Sequence, residues 1–162
     1  MDQPWTDLPR SACDVDADPR LVHQVLGAVV TQPSGDLAGH RFTRLSRPSQ
    51  GEAVVRFDLR LMGRPLATTE RVTVHPGGVS FEQLDGYLPA VEESLEIVSI
   101  GGGATQVVYS GRFRPRPGLL GRSLGAVLAR AVYGAEGRRT LAAVKSTAEA
   151  RQARSAMFRR PR

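Results

Sequence analysis

From about Phe42 to Phe113, apolar and polar residues alternate, and turn residues break the alternation at regular intervals. Ala53, Val55, Phe57, Leu59 and Leu61 stand on one side of their run, against Arg56, Asp58 and Arg60 on the other. This is the period-two pattern of a strand with one buried face. The later runs give Leu66, Val72 and Val74, then Val79 and Phe81, then Val91, Leu95 and Ile97, and last Val107, Tyr109 and Phe113. They are punctuated by Pro48-Ser49-Gln50-Gly51, Gly63-Arg64-Pro65, Pro76-Gly77-Gly78, Asp85-Gly86 and Gly101-Gly102-Gly103. Connections this short join antiparallel strands, because a parallel crossover needs a dozen residues or more. The pattern predicts an antiparallel meander of about six strands with one apolar face, and makes Asp85-Gly86 a two-residue hairpin loop.

The last third changes period. After the stretch Arg114-Pro115-Arg116-Pro117-Gly118, residues Leu120, Leu124, Val127, Leu128, Ala131 and Ala135 recur at helical spacing, predicting one long helix from Gly118 to about Arg154. Continued on the same wheel, that face receives Arg138, Arg139 and Lys145, while the apolar stripe resumes about a third of a turn away at Leu141, Val144 and Ala148. Gly134 and Gly137 sit at the change, each costing roughly 1 kcal/mol against alanine, so a kink, or two halves burying different faces, is expected there. Ahead of the sheet, Ser11 to Val15 reads as a short strand. Asp18 and Pro19 then cap and open an amphipathic helix through Leu21, Val22, Val25, Leu26 and Val29. It ends near Thr31 because Pro33 disfavours helix before it. Ser34 to Ala38 is read as a further helical turn. Residues 1–10 are expected to form a loose arm with Trp5 docked on the body, residues 11–154 a single domain, and residues 155–162 a disordered basic tail.

At 162 residues the chain holds one core, and 41% hydrophobic with 23% charged residues excludes wholesale disorder. A lone cysteine, Cys13, forms no internal disulfide, so a reducing cytoplasm is expected. No apolar run approaches bilayer length, and the N-terminus carries no secretion-signal pattern. The net charge of +6 is concentrated at the end, in Arg151, Arg154, Arg159, Arg160 and Arg162, where a solvated terminus is the simpler reading. His23, His40 and His75 are scattered, without metal-ligand spacing. Gly118-Leu119-Leu120-Gly121-Arg122-Ser123 lacks the ending of a phosphate loop, and Ser123 lacks a nucleophile-elbow context. No cofactor or metal is expected.

Strand parity also lands Glu70, Gln83, Glu93 and Tyr109 on the apolar face. Buried carboxylates are costly, so the two glutamates require a polar cavity, raised pKa values, or Arg138 and Arg139 across from them.

The order strand, helix, short helix, strands, long helix resembles the α+β helix-grip fold of the START and Bet v 1 superfamily (SRPBCC), and within it the bacterial polyketide cyclase/dehydrase-like proteins. The resemblance spans about Ser11 to Arg151. It is carried by Val15-Asp16-Ala17-Asp18-Pro19-Arg20-Leu21-Val22, Val79-Ser80-Phe81-Glu82 with Gly86, Gly103-Ala104-Thr105-Gln106-Val107-Val108-Tyr109, and Leu141-Ala142-Ala143-Val144-Lys145 with Glu149. The aromatic residues usual after the first helix are replaced by Val29 to Gly35.

The resemblance implies a curved antiparallel sheet of six to seven strands wrapped around the C-terminal helix, with one or two short helices after the first strand. The cavity between sheet and helix would hold a lipid, polyketide or similar hydrophobic molecule. Its expected lining is Phe57, Leu59, Glu70, Val72, Phe81, Gln83, Glu93, Leu95, Tyr109, Phe113, Leu120, Leu124 and Leu128. A carrier would use the polar members to orient its ligand. An enzyme of cyclase or dehydratase type would use Glu70, Glu93 and Tyr109 as acid and base. A third reading places an anionic membrane surface on Arg112, Arg114, Arg116, Arg122 and the Arg-rich tail. Nucleic acid is disfavoured, since only Phe113 interleaves with those arginines. Monomer and homodimer are both compatible with the sequence.

Overall fold

The computed structural model describes residues 4–37, 39–61, 63–86, 88, 90–102, 104–115 and 119–158, without the side chains of residues 61, 119–126, 128, 129 and 158. Strand β1 (Thr6–Asp7) leads into β2 (Ser11–Val15), helix α1 (Pro19–Thr31), strands β3 (Ser34–Leu37), β4 (His40–Arg44), β5 (Glu52–Leu61), β6 (Arg64–His75), β7 (Gly78–Asp85), β8 (Ala90–Gly101) and β9 (Ala104–Arg114), and helix α2 (Leu119–Phe158). The strands form one antiparallel sheet in the order β1-β9-β8-β7-β6-β5-β4-β3, with β2 also paired to β9. The long curved sheet and the long C-terminal helix make the helix-grip architecture.

The predicted alternation holds. Val15, Val55, Val72, Val79, Leu95 and Val107 are buried on the inner face together with Val22, Leu26 and Val29 of α1 and Leu141, Val144 and Ala148 of α2. The Asp18 side chain accepts from the Arg20 backbone N–H at 2.8 Å, and Pro19 opens α1, because neither the proline nor the capped amide needs a partner inside the helix. At the other end of the domain, Lys145 bonds the Asp14 carbonyl (2.7 Å) and Glu149 (2.6 Å), and Glu149 accepts from the Asp16 N–H. These contacts pin the last part of α2 to β2.

Several expectations need correction. The helical turn expected at Ser34 to Ala38 is absent over Ser34–Leu37, and Ala38 lies outside the described residues. Ser34–Leu37 pairs with β4 as an edge strand, so a single helix precedes the sheet among the described residues. The sheet accordingly has more strands than six or seven. The β7–β8 connection runs over residues 86–89 rather than two residues, and Gln83 donates to the Leu88 carbonyl across it at 2.6 Å. The arm at residues 1–10 is not loose over its second half. Thr6 and Asp7 pair with Phe113 and Arg112, Leu8 is buried against Val91 and Phe113, and Trp5 lies over the guanidinium groups of Arg112 and Arg114 at 4.6 and 4.7 Å. The helix extends through residues 155–158, which therefore do not belong to a disordered tail, and residues 159–162 lie outside the described part.

The stripe assigned to the first half of α2 is also wrong where it can be read. Val127 is 69% exposed, and Ala131 and Ala135 are exposed. The buried stripe is Gly134, Gly137, Leu141, Val144 and Ala148, and the helix continues unbroken through both glycines. Their role is close approach. A Cβ on Gly137 would stand 2.5 Å from the Tyr109 ring, and one on Gly134 would stand 3.3 Å from Pro9. The glycines read as a weak point are where the helix comes close to Tyr109 of β9 and to Pro9. Wheel arithmetic keyed to large apolar residues cannot see this.

Candidate functional site

Glu70 sits on β6 opposite Gln83, next to a bulge between Thr69 and Glu70. Glu93 sits on β8, paired with Phe81 on one side and Gly111 on the other. The bulge does not turn Glu70 outward. Thr68, Glu70 and Val72 share the inner face, and Thr68 donates to Glu70 Oε1 at 2.9 Å. Tyr109, on β9 beside Leu95, donates its hydroxyl to Glu93 Oε1 in a short hydrogen bond. Both glutamates are enclosed by protein yet keep part of their surface accessible. Groups that line a hollow have this property; groups that fill a core do not.

The environment shapes their chemistry. Burial, then the nearby charge of Glu93, pushes Glu70 up to about 8, against the opposing bond from Thr68. Burial also raises Glu93, with Glu136 adding to the rise while the Tyr109 bond and His40 oppose it. Tyr109 is raised above the ordinary phenol range, by burial first and then by Glu93. Of the three conditions that two inward glutamates could meet, raised pKa values are the one both show. The arginine alternative fails, because Arg138 and Arg139 are exposed and Arg139 reaches only Glu136, at 3.4 Å.

Two members of the site were not foreseen. Tyr133 of α2 is half-buried beside Leu8, Val91 and Phe113, and its phenol is raised by burial and by Glu93 and Glu70. It escaped because it falls between the stripes on the wheel. His40, expected to be scattered, forms a short bond to Glu136 of α2 and ties the β3–β4 edge to the helix. A histidine and a glutamate 96 residues apart carry no local signal. His23 instead meets the His75 carbonyl at 2.8 Å, and His75 meets Ser80 at 3.2 Å.

Of the other candidates, Phe57, Val72, Leu95 and the half-buried Leu59 and Phe81 join the central cluster. Phe57 stands edge-on to Phe81 at 6.1 Å. Phe113 belongs to a second cluster under Leu8. Gln83 spends its amide nitrogen on the Leu88 carbonyl. The side chains of Leu120, Leu124, Leu128 and Arg122, and all of Arg116, lie outside the described residues. Arg112 is occupied by Glu92 (2.6 Å) and Trp5, and Arg114 stacks on Trp5, which leaves less charge for an anionic surface than composition implied. A groove of about 740 Å³ is lined mainly by outward-facing residues of β6 to β9, Arg71, Ser80, Glu82, Glu92, Ser94 and Arg112 among them, and it also reaches Phe81 and Glu93. Its charges are largely paired, as in Arg71 to Glu82 at 2.6 Å. Among the described residues no cluster of His, Cys, Asp and Glu could hold a metal, and no helix is long and apolar enough to cross a membrane.

The architecture is similar to solved structures over most of its length. The Zhui aromatase/cyclase from Streptomyces sp. R1128 superposes with a TM-score of 0.71 at 23% identity, covering 91% of this chain and 96% of that one. Ginseng major latex-like protein 151 from Panax ginseng gives 0.65 at 13% identity, over 89% and 97%. A START superfamily protein from Mycobacterium smegmatis gives 0.53 at 18%, over 82% and 97%. The fold is the helix-grip fold that these structures share. No family model matches the sequence, and no curated protein matches it. At these identities the likeness to the helix-grip proteins establishes architecture, and the chemistry rests on this chain's own residues.

Proposed function

We propose that the protein binds a hydrophobic small molecule of lipid or polyketide type in the hollow between the sheet and α2, with its polar end held by Glu70, Glu93 and Tyr109. One observation carries this reading: two enclosed but partly accessible carboxyl groups and a hydrogen-bonded phenol stand on an otherwise apolar wall. A wall of this kind is the common form of a small-molecule site. Leu59 and Phe81, half-buried beside the packed Phe57, Val72 and Leu95, supply the apolar surface, worth about 25 cal/mol for each Å² taken from water. Organic extraction and native mass spectrometry of the purified chain test it. A bound hydrophobic molecule, or saturable and displaceable binding of a fluorescent apolar dye to the folded protein, is expected; a folded protein that does neither overturns the reading.

A second reading, acid–base cyclisation or dehydration, is favoured by Glu70. A carboxyl group raised to about 8 holds a proton at neutral pH and can donate it to a substrate carbonyl, while Glu93 and Tyr109 orient that oxygen. Turnover of a poly-β-ketone probe into ring-closed products, abolished in Glu70→Gln with the fold intact, separates the enzyme from the carrier.

A further inference from the structure

The N-terminal arm lies against the row of the sheet that holds Glu93. Phe81, Glu93 and Gly111 stand opposite one another on β7, β8 and β9. The Leu8 N–H donates to the Gly111 carbonyl at 2.9 Å, so Leu8 continues that row on the inner face. Gly111 leaves a notch in it. A Cβ there would stand 2.9 Å from Leu8 Cδ1, 3.1 Å from Glu93 Cγ and 2.8 Å from the Glu92 carbonyl oxygen. The strand therefore cannot fill its own notch, and Leu8 leans into it beside Glu93. Leu8 is 5% exposed, while Phe81 and Glu93 keep part of their surface accessible. Pro9, next along the arm, meets α2 at Gly134, where a Cβ would stand 3.3 Å from the proline ring. With Leu8 on the sheet and Pro9 on the helix, the arm spans the gap between β9 and α2. Past this row the interior is packed. Val91 and Phe113 are buried against Leu8, and Tyr133 of α2 packs on them.

We propose that Leu8 is a specificity-determining residue that ends the hollow beside Glu93, so that a ligand meeting Glu93 carries its polar group at the end of its apolar body and not within it. This assignment rests on the reading of the hollow as a ligand site and adds where on the ligand the polar group lies. On one side of Glu93 the half-buried Phe81 and, farther along the sheet, Leu59 offer apolar surface. On the other side the branched end of Leu8 occupies the wall. A ligand carbon placed beyond the polar group would have to enter the volume that this leucine holds. Close-packed interiors yield little to added methylenes, and each methylene denied burial forgoes roughly fourfold in affinity. A leucine that only supported the core would affect isomeric ligands alike; one that ends the hollow distinguishes them.

Titration calorimetry of the full chain with 1-decanol, 2-decanol and 4-decanol tests this. The three share one composition and place none, one and three carbons beyond the carbon that bears the hydroxyl. The parent is expected to bind 1-decanol more tightly than 4-decanol by roughly tenfold or more. Leu8→Ala removes three carbons from the wall and should bring that ratio to about one, whereas Leu8→Met, of similar volume, should keep it. If Leu8→Ala does not fold by circular dichroism, Leu8→Val removes one carbon and should lower the ratio of 1-decanol to 2-decanol affinity by roughly threefold. An unchanged isomer ratio in the folded variant, or equal binding of 1-decanol and 4-decanol by the parent, overturns the role of Leu8 and leaves the hollow as a ligand site. Failure of the parent to bind any of the three overturns both.

Discussion

Glu70→Gln isolates the energetics of the buried acid. Folding raises this carboxyl from 4.5 to about 8, a displacement of about 3.5 at about 1.4 kcal/mol for each. The full penalty for keeping it ionised in the folded state is therefore at most about 5 kcal/mol, and on the order of 2 to 4 once coupling with Glu93 is shared out. The sign follows from proton counting. Between about 4.5 and 8 the folded protein holds a proton that the unfolded chain releases, so stability falls as pH rises across that window and levels off above it. Glutamine keeps the shape and an amide that can accept from Thr68, and does not titrate. Urea denaturation of both proteins at pH 5, 7 and 9 reads the difference directly. The variant is expected to match or trail the parent at pH 5 and to exceed it by about 2 kcal/mol or more at pH 9. All other ionisations cancel in the comparison except that of Glu93, which acts in the same direction. Parallel stability curves across this range would refute the claim that Glu70 lies desolvated in the hollow.

Gly137→Ala is expected to destabilise by about 2 kcal/mol despite alanine's better helix propensity, because its methyl group meets the Tyr109 ring at 2.5 Å; Gly134→Ala, with 3.3 Å to Pro9, should be close to neutral, and equal melting temperatures for the two variants would refute the close approach. Tyr109→Phe removes the donor to Glu93, so Glu93 should titrate still higher in a carboxyl-labelled NMR titration and stability should fall by about 1 to 3 kcal/mol. Glu136→Gln weakens the tie to His40, and amide exchange of Ser34–Leu37 and His40–Arg44 should accelerate more than that of β8 and β9.

The sheet was legible because its strands obey a period of two and its turns carry glycine and proline. Parity alone put Glu70, Glu93 and Tyr109 on the inner face, and the register keeps them there. The edge strand at Ser34–Leu37 was not legible, since Ser34-Gly35-Asp36-Leu37 has no β-branched residue and no alternation of apolar residues and is held by pairing with β4. Tyr133 and His40 were missed for a related reason. Their partners are set by how α2 crosses the sheet, and that crossing is fixed by two glycines whose contribution is the absence of a side chain.

The pairing of β2 with β9 joins residues 11–15 to residues 105–109, and α2 follows only after both. During synthesis, then, the segment at residues 11–15 waits for about two thirds of the sequence before it finds its neighbour. At about 5 to 20 residues per second, the 40 residues of α2 take a further 2 to 8 s or so to appear. For that interval Val55, Val72, Leu95 and Val107 face water or whatever chaperone attends the nascent chain. The feature that gives the mature protein an interior thus leaves its precursor with a bare greasy surface, and truncations that shorten α2 should send the product into inclusion bodies before any ligand is in question.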